Sequence, residues 1–81
     1  MKFHDHAFAR IRERGASESE VEMTVRDGEQ FAAKFDRTGF RRNFRFDGLW
    51  RGRAHSMKQI EAFAIWENDD WLVISGIVKY F

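Results

Sequence analysis

The first residues that could perform chemistry lie near the amino terminus, where His6, Arg10 and Arg14 recur at intervals of four. On an α-helix this spacing places the three side chains on one stripe, together with Glu13. An imidazole can transfer a proton near neutral pH, and a guanidinium can hold a phosphate through two hydrogen bonds. The pattern is compatible with a catalytic His6 and a phosphate clamp of Arg10 and Arg14. Spacing alone favours a solvated helix face stabilised by an Arg–Glu pair.

A second group of candidate residues is the basic segment in the middle of the chain. Residues 34–58 contain eight Lys or Arg against two Asp, a balance of +6, whereas the whole chain carries only +1. Aromatic residues alternate with these cations, as expected where arginines contact phosphates and rings stack on unpaired bases. The evenly spaced Phe residues also fit a core-facing strand whose arginines only keep an edge soluble. The residues predicted to contact nucleic acid are Arg41, Arg45, Arg51, Arg53 and Lys58.

Neither a metal nor a cofactor site is predicted. The chain has no Cys, and on a helix His4 and His6 would point about 200° apart, too far to share an ion. The sequence also contains no glycine-rich phosphate loop and no nucleophile-elbow serine. Tyr80 is interpreted as a buried ring with a solvated hydroxyl, and stacking or proton donation by Tyr80 is the alternative.

The elements that must position these residues change type along the chain. Helical periodicity up to Arg14 is followed by Gly15, a favourable helix end, and Ser17 with Glu20 fits a capping box for a second helix. From Gln30 onward the pattern alternates as in strands, with turn signals at residues 36–39 and 47–48. The predicted fold is therefore α+β, with two amino-terminal helices packed on a four-stranded antiparallel β-meander. The helices are expected at about 5–14 and 17–27, and the strands at about 30–36, 40–46, 58–66 and 71–81.

The length of 81 residues predicts a single domain with a thin core, in which the aromatic residues, 16% of the chain, supply much of the buried area. No apolar run is long enough for a signal peptide or a membrane span. We therefore expect a cytoplasmic protein without a membrane partner.

The opening of the chain resembles a bacterial family, domain-of-unknown-function family 4258. Residues 6–15 follow its His-Ala-x-x-Arg-x-x-x-Arg-Gly pattern, and Ser17, Val21 and Gly28-Glu29 extend the resemblance. Ile11 and Ala16 depart from the Met and the aliphatic residue that are usual in the family. The family has been grouped with RelE-like small ribonuclease toxins.

The resemblance implies metal-independent RNA cleavage by a helix pair on an antiparallel sheet, with His6 as general acid or base and Arg10 and Arg14 as the phosphate clamp. RNA, free or ribosome-bound, would be the substrate, and an antitoxin protein would be the partner. Two other classes of function remain open. One is RNA binding without cleavage, and the other is a non-enzymatic interaction module with Phe40, Trp50 and Trp66 as interface anchors.

Overall fold

A five-stranded mixed sheet carries two helices on one face in the computed structural model, which describes all 81 residues. The strand order is β1-β5-β4-β3-β2, with β1 parallel to β5 and every other neighbouring pair antiparallel. The helices are α1 (Ala7–Glu13) and α2 (Glu18–Asp27), and the strands are β1 (Lys2–Phe3), β2 (Glu29–Ala32), β3 (Thr38–Trp50), β4 (Arg53–Glu67) and β5 (Asp70–Tyr80).

The helix boundaries are set by local chemistry that the sequence displays. The Glu20 amide donates to Ser17 Oγ at 3.1 Å, and the Ser17 amide donates to Glu20 Oε1 at 3.0 Å, so the predicted capping box is present. Gly15 ends α1 at a φ of 98°, a left-handed conformation that favours glycine. Neither helix combines the length and the apolar character needed to cross a membrane.

The core lies between the helices and the sheet face that they cover. Ile11, Val21 and Val25 of the helices pack against Phe40, Ile60 and Val73 of the sheet. Small residues of the sheet allow α1 to approach closely, because a Cβ at Gly76 would lie only 3.0 Å from Ile11. A seven-residue helix such as α1 is marginal in isolation, so its stability depends on this packing.

The other face of the sheet has no helix and carries a row of alternating charges. Arg41 of β3 pairs with Glu29 of β2 at 2.8 Å and with Glu61 of β4 at 3.5 Å. Glu61 also pairs with Lys79 of β5 at 3.2 Å. The Glu61 side chain is only 9% exposed, so its two cations compensate a charge that burial would otherwise destabilise. We call Glu29, Arg41, Glu61 and Lys79 the charge ladder.

The long β3–β4 hairpin differs from the predicted one. The prediction placed a turn at Asp47-Gly48, but the strands continue to a tight turn at Arg51 and Gly52, which have φ values of 51° and 81°. Positive φ at both central residues is the requirement of a type I′ hairpin turn. Asp47, with a φ of 46°, instead lies in a β-bulge between Arg45 and Gly48, where β3 has one extra residue. The predicted strands at 40–46 and 58–66 were therefore too short.

The predicted four-stranded antiparallel sheet is incomplete, because β1 adds a fifth, parallel strand through its pairing with Leu72 and Val73 and makes the sheet mixed. A two-residue strand has no periodicity that a sequence pattern could display. The predicted helix at 5–14 begins only at Ala7, because His6 adopts a left-handed φ of 66° at the N-cap.

Candidate functional site

Four rings meet where the tip of the β3–β4 hairpin approaches the end of β5. The Trp50 and Tyr80 rings are stacked, with centroids 4.8 Å apart and planes inclined by 13°. Phe46 contacts the Tyr80 ring edge-on at 5.0 Å, and the His55 ring lies 5.6 Å from it. The bulge in β3 bends the hairpin, and Gly15 leaves room for both stacked rings. We call Phe46, Trp50, His55 and Tyr80 the aromatic cluster.

A cleft of about 420 Å³ lies beside the aromatic cluster, between the hairpin tip and β5. Arg14 and Arg51 line it, and neither side chain pairs with a carboxylate. Arg14 Nη1 donates to the Gly76 carbonyl at 2.7 Å, and Arg51 Cζ lies 5.4 Å from the centre of the Trp50 ring. We call this space the hairpin cleft, and its lining residues are Arg14, Trp50, Arg51, Ile77 and Val78.

Tyr80 connects the cleft to the end of α1. Its hydroxyl donates to the Arg14 carbonyl at 2.9 Å. Burial raises the pKa of Tyr80, the negative charge of Glu20 raises it further, and the positive charge of Arg51 acts in the opposite direction. The hydroxyl is therefore protonated at physiological pH and can donate a hydrogen bond to an anion, although this requires release of the Arg14 carbonyl.

A buried ion pair between Lys58 and Glu20 lies next to the aromatic cluster. Lys58 Nζ lies 2.9 Å from Glu20 and donates to the Gly15 carbonyl, also at 2.9 Å, and only 8% of the Lys58 side chain is exposed. Burial acts to raise the pKa of Glu20, but hydrogen bonds from Lys58 and Ser17 and the Lys58 charge outweigh it and lower that pKa. The pair connects α2 to β4 and fixes the chain at Gly15, directly under the aromatic cluster.

Replacing Glu20 should destabilise the protein in a pH-dependent way. We expect Glu20→Gln to lower the free energy of unfolding by about 2 kcal/mol at neutral pH, because Lys58 would keep a buried charge without its partner. Since the pKa of Glu20 is lowered by folding, this contribution is complete above the ordinary value of 4.5 and disappears as the pH falls through the lowered folded value. Urea unfolding from neutral to acidic pH measures the difference. Glu18→Gln, in the same helical turn but exposed, is the control, and an equal loss in both variants would contradict the expectation.

The predicted trio is spread along α1, with Arg10 inside the helix and the other two residues at its ends. Exposed His6 precedes the helix and Arg14 follows it, a separation of about 12 Å along the helix axis at the usual rise per residue. Arg14 lines the hairpin cleft, whereas neither His6 nor Arg10 does. The side chains of His6 and Arg10 make no hydrogen bond or ion pair within the protein.

The predicted nucleic-acid contacts are also dispersed. Arg41 belongs to the charge ladder, and Arg45 pairs with Asp47 at 3.2 Å. Lys58 is buried in its ion pair, so it presents no charge to the surface. Arg51 lies in the hairpin turn, Arg53 directly follows it, and both are exposed without a carboxylate partner. Of the five predicted residues, Arg51 is the one that lines the hairpin cleft.

Sequence reasoning missed the aromatic cluster as a unit. Trp50 and Tyr80 are 30 positions apart, and their contact requires the bulge, the shifted hairpin turn and a glycine at position 15. The sequence signal that could have found it was Gly52 between alternating residues, although Asp47-Gly48 is the stronger signal for a two-residue hairpin turn.

The largest concave region lies elsewhere, between α2 and the start of β5. It has a volume of about 560 Å³, and its floor includes Phe40 and Trp71. Its nearby charges are largely compensated, since Arg26 pairs with Asp27 at 3.1 Å and Asp70 pairs with the terminal amine at 3.0 Å. The hairpin cleft is smaller but combines two uncompensated cations with a stacked ring, so it is the better candidate for chemistry.

Comparisons of the chain with protein-family models, with curated proteins and with solved structures found no match.

Proposed function

We propose that this protein is an RNA-acting domain of the toxin type and that RNA binds in the hairpin cleft. The observation that carries the proposal is the arrangement of Arg14 and Arg51, two guanidiniums without carboxylate partners, beside the stacked Trp50 ring. Arginine forks match phosphate oxygens, and aromatic rings stack on bases of any sequence. Tyr80 covers one face of the Trp50 ring and Arg51 also lies over the ring. An unpaired base would therefore stack on Trp50 once Arg51 turns to a phosphate, which favours single-stranded RNA over duplex.

Cleavage in this site would proceed without a metal ion. The ribose 2′-oxygen attacks the adjacent phosphorus and gives its proton to a general base, and the 5′-oxygen leaves after accepting a proton from a general acid. The sequence hypothesis assigned proton transfer to His6. In the aromatic cluster, whose Trp50 ring lines the cleft, His55 and the protonated Tyr80 hydroxyl are the groups that could transfer a proton, and Arg14 and Arg51 would stabilise the charge that develops on phosphate. A toxin of this type is expected to be neutralised by an antitoxin protein.

Cleavage of an end-labelled RNA, with chelator present, tests the proposal. We expect activity in the unmodified protein and a loss of about 100-fold in Tyr80→Phe and in His55→Ala, as is usual when a general acid or base is removed. His6→Ala should retain its activity, because His6 lies at the N-cap of α1, the end of the helix opposite to Arg14. Thermal unfolding of each variant separates a loss of activity from a loss of folding.

The opposite pattern of activities among these variants would place the catalytic site outside the hairpin cleft. Loss of cleavage in His6→Ala and Arg10→Ala, with Tyr80→Phe and His55→Ala unaffected, would place catalysis on the helix stripe. Binding of RNA without cleavage, for free RNA and for translating ribosomes alike, would leave a non-catalytic RNA-binding domain.

A non-enzymatic interaction module is a second candidate, favoured by exposed apolar side chains. Phe35 is 83% exposed, Leu49 71% and Trp66 58%, and exposed apolar side chains of this kind can anchor a partner. Phe40, which the sequence also offered as an anchor, is buried in the core. This function predicts that Trp66→Ala abolishes capture of a protein partner while RNA binding is absent.

A further inference from the structure

The outer edge of β5 is free beyond its pairing with β1. β1 contacts only Leu72 and Val73 of β5. At the other end of the strand, Phe81 and Met57 exchange both backbone hydrogen bonds, at 2.8 and 3.0 Å, so Phe81 faces β4. Because hydrogen-bonding direction alternates along an antiparallel strand, the amide and carbonyl groups of Val78 and Tyr80 face away from β4, where no other strand pairs with them.

The free edge borders the hairpin cleft. Val78 lines the cleft, and the Gly76 carbonyl, which faces the same way, already accepts the hydrogen bond from Arg14. The edge thus offers the donors and acceptors of Val78 and Tyr80 in an extended array, with the guanidinium groups of Arg14 and Arg51 beside it. Unpaired edges of this kind pair readily with another extended chain.

The charges decide which extended chain fits. A second copy of this protein, paired edge to edge, would bring four uncompensated guanidiniums together, so self-association through β5 is disfavoured. A nucleic-acid backbone offers phosphate acceptors but no regular donors for the outward carbonyls of Val78 and Tyr80. A peptide backbone supplies both donors and acceptors, and carboxylate side chains would match Arg14 and Arg51.

We propose that the free edge of β5 is a strand-addition site for an extended acidic segment of a partner protein. The backbone of that segment pairs with Val78 and Tyr80, and its carboxylates contact Arg14 and Arg51. The inference goes beyond the proposed RNA function and does not depend on it, because the outward backbone groups are present whatever the cleft binds.

The two faces of β5 define the sequence pattern of the segment. Side chains of an added strand alternate between the helix-covered face and the open face. Ile77, which is 44% exposed and also lines the cleft, would be covered by an apolar residue, whereas the residues beside Arg14 and Arg51 would be acidic. The expected pattern is therefore alternating acidic and β-branched apolar residues.

Hydrogen exchange with a synthetic peptide tests the assignment without any RNA. The probe is a peptide of about six residues, an ordinary strand length, that alternates Glu and Val. We expect the exchange of the Val78 and Tyr80 amides to slow by about tenfold or more when the peptide is bound. The same peptide with N-methyl groups along its pairing edge keeps its charge but loses its donors, and should bind at least about tenfold more weakly.

A charge exchange tests the acidic preference. Arg51→Glu should weaken binding of the Glu-containing peptide by about tenfold and strengthen binding of the corresponding Lys-containing peptide. The proposal is overturned if the N-methylated peptide binds as well as the unmodified one. If an unstructured RNA slows the exchange of the two amides equally, the edge binds RNA instead. If the two amides become protected in the free protein as its concentration rises, the edge binds a second copy. Failure of RNA cleavage alone leaves these results unchanged, so the two proposals fail separately.

Discussion

Gly15→Ala should destabilise this protein more than most single methyl additions, by about 3 kcal/mol or more. Two effects add at this position. The φ of 98° lies in a region that a residue with a Cβ rarely adopts, and the added Cβ would overlap the Tyr80 hydroxyl and lie 3.0 Å from Trp50 Cζ3. Either the chain turns differently at the end of α1 or the two rings separate, so the substitution should also disrupt the aromatic cluster.

Gly52→Ala is the matched control for this substitution. Gly52 also has a positive φ, of 81°, but an added Cβ there meets no atom within 4 Å. It should therefore cost only the backbone term, about 1 kcal/mol. Urea unfolding of both variants, followed by tryptophan fluorescence, gives the two free energies. Equal losses of stability would show that the close approach of Tyr80 and Trp50 to Gly15 contributes nothing.

Removal of the two cleft arginines should weaken RNA binding and reduce its dependence on salt. Replacing both Arg14 and Arg51 by Ala removes two cations without carboxylate partners, and we expect the affinity for single-stranded RNA at low salt to fall by about 100-fold. The slope of log affinity against log salt should decrease by about 0.7 for each RNA phosphate that the variant no longer neutralises. Fluorescence anisotropy of a labelled oligonucleotide over a salt series measures both quantities.

Arg37→Ala provides the control for the cleft variants. Arg37 is exposed, has no carboxylate partner and lies in the turn before β3, at the end of the sheet opposite the hairpin tip. It carries the same charge, so its removal reproduces any effect of net charge alone. If Arg37→Ala weakens RNA binding as much as Arg14→Ala alone or Arg51→Ala alone, binding is diffuse and the hairpin cleft is not its site.

The parts of the fold that follow from local chemistry could be predicted from the sequence. The capping box of Ser17 and Glu20 and the left-handed Gly15 are confirmed, because a helix boundary depends on residues within one turn of it. The α+β composition with two helices before the main antiparallel strands is also confirmed. Each of these features depends on only a few consecutive residues.

The remaining features depend on contacts between distant residues. Asp47-Gly48 and Arg51-Gly52 both fit a hairpin turn, and the register of β3 on β4, with the bulge at Asp47, selects the second. Likewise, an isolated helical pattern placed His6 and Arg14 on one stripe, but the left-handed backbone at His6 removes it from the helix. The Arg14 side chain donates to the carbonyl of Gly76, 62 positions away. Sequence periodicity carries no information about a contact at that separation.

The charge ladder has a consequence for how the sheet excludes wrong alignments. A slip of β4 by two residues along β3 would keep every side chain on its own face, so hydrophobic burial discriminates poorly against it. Such a slip would place Phe63 or Gln59 opposite Arg41 and leave Glu61 a nearly buried carboxylate without that cation. The ion pairs of the charge ladder therefore form in only one register of β4 on β3. They specify that register from the face of the sheet that contributes least to the core.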